Sequence, residues 1–402
     1  MTSTDPYPIR GIFQKFFPAY LEEHPDLPMY KYKTAQCIMK CKTGELGYNA
    51  SVCDECGNVV IHAVSCNNRS CPCCQAPLEK KWEASRNTEL IDGTAYFHVV
   101  FTIPHELNRL YMLNMKEMTN LFFRTVHETL IELCADRKFM GAKPGIVSVL
   151  HTWGQKLNFH PHLHICVSGG GITPDGKFVE TGHKGFFIPQ QVLSASFKGR
   201  FMRELKLLYE TGQMKLPHES HLGEPDRWKV FVDSLYAKRW MPFVKETFNG
   251  KGNAIRYLAR YSYRTAIANS RIISISEKDV TFSYKDYADG NRQKTMTVSG
   301  MEFIELFLQH ILPPRLNRMR MAGYLCNCKK SYNLWLIHRL RHSAYNGNPY
   351  KNMKMRELMI SLFDRDICKC PACSSMMRIL PRGMPKSTLP SPSYRISNLV
   401  MS

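Results

Sequence analysis

The sequence predicts an α+β protein: an antiparallel sheet flanked by helices, with a small cysteine-rich module before it and a basic, partly helical region after it. Three observations carry this. Between residues 91 and 312, runs with period-two alternation are interleaved with runs whose apolar residues recur at helical spacing. Eight cysteines crowd between Cys37 and Cys74. The chain carries 54 Lys and Arg against 34 Asp and Glu, a formal net charge of +20. On these shifts the 402 residues divide into an N-terminal helix and cysteine module (1–90), a sheet unit (91–312), a basic C-terminal region (313–379) and a flexible tail (380–402).

Composition narrows the function classes. A charge of +20 points to a polyanionic partner, nucleic acid before membrane surface. No apolar run has the length of a membrane span, so no membrane partner is expected. The first residues lack a basic-then-apolar signal, and a cytoplasmic location is the expectation. In such a reducing compartment fifteen cysteines read as metal ligands rather than disulfides. A homodimer is compatible with all of this.

Residues 10–22 read as a short amphipathic helix. Cys53-Asp-Glu-Cys56-Gly57 follows, a knuckle in which the glycine lets the backbone fold under the sulfurs. Cys71-Pro-Cys-Cys74 supplies a second pair. The spacing C-x2-C-x14-C-x2-C suits a structural four-thiolate Zn²⁺ site. Cys37, Cys41, Cys66 and Cys73 remain, enough for a second site, with His62 as a further donor.

In the sheet unit, residues 95–103 are an apolar strand ended by Pro104, and residues 106–138 one long helix. Residues 145–151 are the next strand, and a turn at Gly154 leads into Phe159-His160-Pro161-His162-Leu163-His164-Ile165-Cys166-Val167. Side chains of a strand alternate, so His160, His162 and His164 share one face. The hairpin is expected to set His151 close to His160. The Gly169-Gly170-Gly171 run reads as a loop. Helices are expected at 193–212, 226–240, 253–264 and 301–312, and strands at 271–275, 280–287 and 295–298, with a turn at Asp289-Gly290. On the helix at 253–264, Tyr257 and Tyr261 are four apart and lie on one face, beside a stripe of Arg256, Arg260 and Arg264.

These parts suit one chemistry. Two imidazoles at i and i+2 on a strand point the same way and can hold one divalent cation. Imidazole with oxygen ligands favours Mg²⁺ or Mn²⁺, acting as a Lewis acid on a phosphate oxygen. His162 and His164 are the candidate ligands; His160, His151 and Gln155 compete for the third place. A tyrosine hydroxyl attacks a phosphodiester only when its proton is removed and the developing charge is stabilised.

From residue 306 to 355 there is no Asp or Glu, while Arg315, Arg318, Arg320, Lys329, Lys330, Arg339, Arg341, Lys351 and Lys354 alternate with Tyr324, Tyr332, Trp335, Tyr345 and Tyr350. Cations for phosphates with aromatics for bases is the composition of a single-strand binding surface. Cys326, Cys328, Cys370 and Cys373 are expected to close a further zinc site. The tail, rich in Pro and Ser, lacks periodicity.

Taken together the segments resemble one family. The stretches that carry the likeness are Ser65-Cys-Asn-Asn-Arg-Ser-Cys-Pro-Cys-Cys-Gln75, His98-Val-Val-Phe-Thr-Ile-Pro-His-Glu-Leu-Asn108, and His151-Thr-Trp-Gly-Gln155 leading into His160-Pro-His-Leu-His164. They continue through Tyr257-Leu-Ala-Arg-Tyr261, Tyr284-Lys285-Asp-Tyr287, and His310-Ile-Leu-Pro with Arg318, Arg320 and Gly323-Tyr324. In this order they are similar to the rolling-circle transposases of bacterial insertion sequences, the HUH two-tyrosine type of the IS91 group. The resemblance implies an HUH-endonuclease-like sheet, a metal at His162 and His164, nucleophiles at Tyr257 and Tyr261, and a zinc-binding domain at the N-terminus. It implies nicking of single-stranded DNA and strand transfer through a 5′-phosphotyrosine link, with Arg256, Arg260, Arg264, Lys285, Arg318 and Arg320 as DNA contacts. A replication initiator or relaxase, and an inactive zinc DNA-binding protein, are the rival readings.

Overall fold

Residues 6–181, 186–245, 255–256, 258, 263, 265–383, 385 and 387 are described by the structure, a computed structural model. Its N-terminal part holds helices α1 (Pro8–Glu23) and α2 (Met29–Lys40), the hairpin β1 (Tyr48–Cys53) and β2 (Val59–Ala63), and α3 (Ala76–Asn87). Strand β3 (Tyr96–Thr102) leads to α4 (Asn108–Leu113) and α5 (Met115–Ala135), then to the long pair β4 (Lys143–Trp153) and β5 (Phe159–Ile172). Next come β6 (Phe178–Glu180), α6 (Gln190–Glu210), α7 (Pro225–Ala237) and β7 (Phe243–Lys245). Strands β8 (Ile272–Ile275), β9 (Asp279–Asp286) and β10 (Arg292–Ser299) precede α8 (Gly300–Leu308) and β11 (Met319–Gly323). Helices α9 (Lys330–Leu340) and α10 (Met355–Phe363) and strand β12 (Met377–Ile379) follow.

The protein is thus a mixed α+β molecule whose sheets are antiparallel. The central sheet runs β11-β4-β5-β3-β7, with β6 beside β5. Because side chains alternate, it has two faces of different character. On one, Val99, Phe101, Ile146, Leu150, Leu163, Ile165 and Val167 are buried against α5 and α6. Helix α6 presents Leu193, Phe197, Phe201 and Leu205 at four-residue spacing, and Phe197 meets Phe101 edge-on with ring centroids 5.0 Å apart. On the other face, Val147, Val149 and Cys166 share a core with Ile255, Leu258, Tyr324, Leu334 and Ile337. No helix among the described residues is long and apolar enough to cross a membrane.

A second core joins the N-terminus to the β8–β10 sheet. Phe13, Phe16 and Phe17 of α1 pack with Phe303, Ile304 and Phe307 of α8, and the same core holds Cys41, Cys71, Cys73 and Cys74. Gly300 is what lets α1 approach, since a Cβ there would lie 2.3 Å from the Phe16 ring.

Two local expectations are corrected. The helix expected over 106–138 breaks at Asn114, whose side-chain amide donates to the Leu110 and Lys215 carbonyls and accepts from the Lys215 N–H. Pinning a distant loop outweighs continuing the helix. The Gly169–Gly171 run is strand, not loop. A Cβ on Gly169 would lie 2.8 Å from Phe97, and one on Gly171 2.6 Å from the Lys143 carbonyl, so the glycines are where neighbouring chains come closest.

Candidate metal centre and nucleic-acid surface

The side chains of His151, His162 and His164 converge, with one ring nitrogen of each within 4.8 Å of the others. Strand period places His162 and His164 together, with ring centroids 4.9 Å apart. The third imidazole arrives through a bulge. Trp153 pairs with Phe159, but His151 pairs with His162, so the register slips by one residue between them. Without the slip His151 would oppose Pro161 and face the helices. A proline inside a strand is a signal for such a bulge, since it has no N–H for the ladder.

The turn that sets this register is held at many points. The Leu157 carbonyl accepts from Gln309 Nε2 at 2.8 Å and His310 Nε2 at 2.9 Å. His310 Nδ1 in turn takes the Thr152 hydroxyl at 3.1 Å. Burial pushes the His310 imidazole down to about 4, so the ring is neutral at pH 7 and serves one neighbour as donor and one as acceptor.

Two hydrogen bonds orient the ligands. His162 Nδ1–H donates to the His160 carbonyl at 2.7 Å, which turns Nε2 to the site. His164 Nδ1 lies 3.0 Å from His98 Nε2 of β3. With the proton on His164 Nδ1, that nitrogen donates to His98 and the Nε2 lone pair becomes a ligand atom. Burial brings His162 down to about 4, against the His160 carbonyl, so it is the neutral, ligating form at pH 7.

His160 is not the third member, as the strand face alone suggested; its ring stands beside His162 at 5.2 Å and its carbonyl orients that residue. Gln155 turns away, donating to the Tyr287 hydroxyl and accepting from the Lys285 N–H. Tyr257, Tyr261, Arg260 and Arg264 lie outside the described residues. Ile255 and Leu258, on either side of Tyr257 in the chain, are fully buried in the core on the triad's face of the sheet. A cavity of about 420 Å³ between α4 and α7, lined by Arg109, Arg227 and Phe231, belongs to the helical face and is remote from the triad.

The remaining expected DNA contacts divide. Arg256 is exposed, its Nε 3.5 Å from Glu83. The Lys285 ammonium stands 5.9 Å from the Tyr287 ring. Arg318 lies over Tyr263 and is brought to about 10 by burial and by Arg69, which still leaves it a cation. Arg320 is a correction: it sits opposite Ser148 on the helical face, its guanidinium 4.4 Å over Phe123 and bonded to Asn120. Alternation along β11 sends Met319 and Met321 the other way. On α9, Tyr332 and Trp335 are 61% and 45% exposed although both are large aromatics, and Arg339 lies 5.3 Å over Trp335.

The thiols sort differently from their spacing. Cys71 and Cys74 join Cys41 and Cys66, while Cys53 and Cys56 join Cys370 and Cys373; each group has its sulfurs within 4.8 Å. Neither the Cys53-Cys56-Cys71-Cys74 site nor the Cys326-Cys328-Cys370-Cys373 site forms. Sequence spacing sees only neighbours along the chain, whereas α2 delivers Cys41 to the first group and β12 delivers the C-terminal pair to the second. Cys37 and His62 stand in neither group, and Cys73 is buried beside the first but outside it. Cys326 and Cys328 are 3.1 Å apart, and no third donor joins them among the described residues. In the first group Cys66 and Cys74 are 3.8 Å apart. That matches the edge of a tetrahedron with metal–sulfur bonds of ~2.3 Å, about 3.8 Å, so four thiolates here fit zinc.

Comparisons with known proteins match two stretches of the chain to family models and most of it to two relatives. A family model described as "Transposase zinc-binding domain" matches residues 12–103, and one described as "Putative transposase" matches residues 145–332. The first spans Cys53 and Cys56 as well as Cys41, Cys66, Cys71 and Cys74, and the second spans the histidine triad. The chain is 36% identical over 368 residues to "Putative transposase y4qJ" of Sinorhizobium fredii (strain NBRC 101917 / NGR234), covering 91% of this chain and 92% of that one. It is 26% identical over 365 residues to the transposase for insertion sequence element IS801 of Pseudomonas savastanoi pv. phaseolicola, covering 89% and 85%. No solved structure matches.

Proposed function

The chain belongs to the IS91-type two-tyrosine transposases with an N-terminal zinc-binding domain, and on that premise we propose that it nicks one DNA strand at its element's end and passes that strand to a target. The observation that carries the mechanism is three imidazoles on one face of an antiparallel sheet, beside the core that buries Ile255 and Leu258. We read that sheet as HUH-endonuclease-like. His151, His162 and His164 would hold a divalent cation, Mg²⁺ or Mn²⁺, which when bound would supply Lewis-acid stabilisation to a non-bridging phosphate oxygen. Three imidazole ligands would leave coordination positions open for a substrate oxygen.

Tyr257 or Tyr261 is the nucleophile. Its hydroxyl oxygen bonds to phosphorus as its proton leaves, the bond to the 3′ oxygen breaks, and that oxygen takes up a proton as a free 3′-hydroxyl. The phosphodiester survives as a 5′-phosphotyrosine link, so a second hydroxyl can reverse the step on the target without a nucleotide cofactor. Two tyrosines allow two such transfers in succession. His98 and the His160 carbonyl keep two ligand rings in the correct tautomer, and Gln309 and His310 keep the hairpin in register. Arg256, Lys285 and Arg318 with Tyr332, Trp335 and Arg339 provide phosphate and base contacts for the single strand. Cys41, Cys66, Cys71 and Cys74 would hold the zinc of the N-terminal domain, in a structural role.

The test is a covalent-adduct assay with labelled single-stranded DNA from the element's own ends and Mg²⁺ or Mn²⁺, read on a denaturing gel. An adduct that disappears in Tyr257→Phe/Tyr261→Phe and in His162→Ala is the expected result. Tight binding of cognate ends with no adduct under either metal would assign the chain to zinc-dependent DNA binding instead.

A further inference from the structure

We propose that Cys53, Cys56, Cys370 and Cys373 form a second structural zinc site, in which two thiolates of the N-terminal zinc-binding stretch are completed by two from beyond it, closing the β1–β2 hairpin and β12 into one zinc ribbon. Two of these ligands lie beyond both matched regions, at positions 370 and 373.

The argument starts from the backbone. At the first knuckle the Cys53 N–H donates to the Asn58 carbonyl at 2.9 Å, and the Gly57 N–H returns to the Cys53 carbonyl at 2.9 Å. At the second the Cys370 N–H donates to the Ser375 carbonyl at 2.8 Å, and the Ser374 N–H returns to Cys370 at 2.9 Å. The two turns have the same bonds at the same offsets. In both, the residue after the second cysteine is left-handed: Gly57 at φ 68 and Ser374 at φ 63. Serine takes that conformation at a cost, so something must repay it. A metal gripped by both sulfurs does, because only the tight turn points them inward.

The sulfurs face one another across the pair of turns. Cys53 and Cys373 are 3.5 Å apart, and Cys56 and Cys370 3.6 Å. These are near the ~3.8 Å edge of a four-thiolate zinc tetrahedron and far from the ~2.05 Å of a disulfide. The Ala372 N–H and the Asn58 amide each lie 3.4 Å from the Cys370 sulfur, the donor pattern that stabilises a ligating thiolate. Beneath the knuckles β12 adds to β1 antiparallel, with Cys53 opposite Met377, and the β12-β1-β2 sheet makes the body of the ribbon. Its apolar interior is small: Cys53, Cys370 and Met377 with Val60 alongside. A sheet with so little buried surface needs a metal to hold it.

The experiment counts zinc released from the intact, full-length chain by a thiol-specific mercurial, which leaves an imidazole-bound ion in place. Two equivalents are expected from the wild type and from Cys326→Ser/Cys328→Ser, and one from Cys370→Ser/Cys373→Ser. One equivalent from the wild type and one from Cys370→Ser/Cys373→Ser would overturn the proposal. Should the double serine variant unfold and release none, Cys373→His decides, since three thiolates and an imidazole also bind zinc tetrahedrally. Two equivalents from that variant support the site, and one overturns it.

Discussion

His98 illustrates how a single side chain can matter without touching substrate. It sits two registers along from the pair Val100–His164 and reaches His164 from the neighbouring strand. His98→Ala is expected to weaken Mn²⁺ binding ~10–100-fold, because the ligand ring loses its anchor. Calorimetric Mn²⁺ titration checks this, and adduct yield at saturating Mn²⁺ should recover toward wild type; unaltered affinity would reduce His98 to packing. The sequence displayed His98 as one more residue of an apolar strand, and nothing in its spacing ties it to His164. His162 and His164 were legible because strand period is a local rule. His151 was not resolved from His160, because a one-residue bulge decides between them and Pro161 is its only trace. The thiols failed for the same reason in stronger form: Cys53 and Cys373 are 320 residues apart.

Among the elements, β11 and α9 carry opposite lessons about basic residues. Arg320 has the right charge for DNA, yet its strand faces it toward α5. Arg320→Ala should therefore leave affinity for single-stranded DNA within twofold and lower unfolding stability by about 1 kcal/mol, through the lost cation–π contact and hydrogen bond. Denaturant melts and a binding titration separate these. A large loss of affinity would return Arg320 to the DNA surface. On α9, Trp335→Ala should weaken single-strand binding by about 1–3 kcal/mol with the salt dependence unchanged, since stacking releases no counterions. An unchanged affinity would remove α9 from the binding path. The break between α4 and α5 offers a third case. Asn114→Ala strips three side-chain hydrogen bonds to backbone, one of them buried, and should destabilise by roughly 1–3 kcal/mol, read by urea denaturation. The helical period across Leu107, Leu110, Leu113 and Met118 hides that break, because it is imposed by a loop a hundred residues away.

Three apolar cores among the described residues meet at the hairpin bearing the triad: Leu157 of its turn lies in one, Leu150 and Leu163 of its strands in a second, and Val149 and Cys166 in the third. Architecture at this level was partly legible. Strand and helix periods gave most of the sheet unit, while β6, β7 and β12, three residues each, are too short for period to register. What the linear reading lacked was any way to see the two ends of the chain meet. That meeting has a consequence in time. The Cys53–Cys56 turn is complete early in synthesis, but its partner Cys370 follows Cys56 by 314 residues. At about 5–20 residues per second, a ribosome takes on the order of 15–60 s to deliver the other half. For that interval the nascent chain carries an unfinished claw of two sulfurs. A chain cut short before residue 370 lacks both the partner turn and β12, and leaves that edge of β1 unpaired.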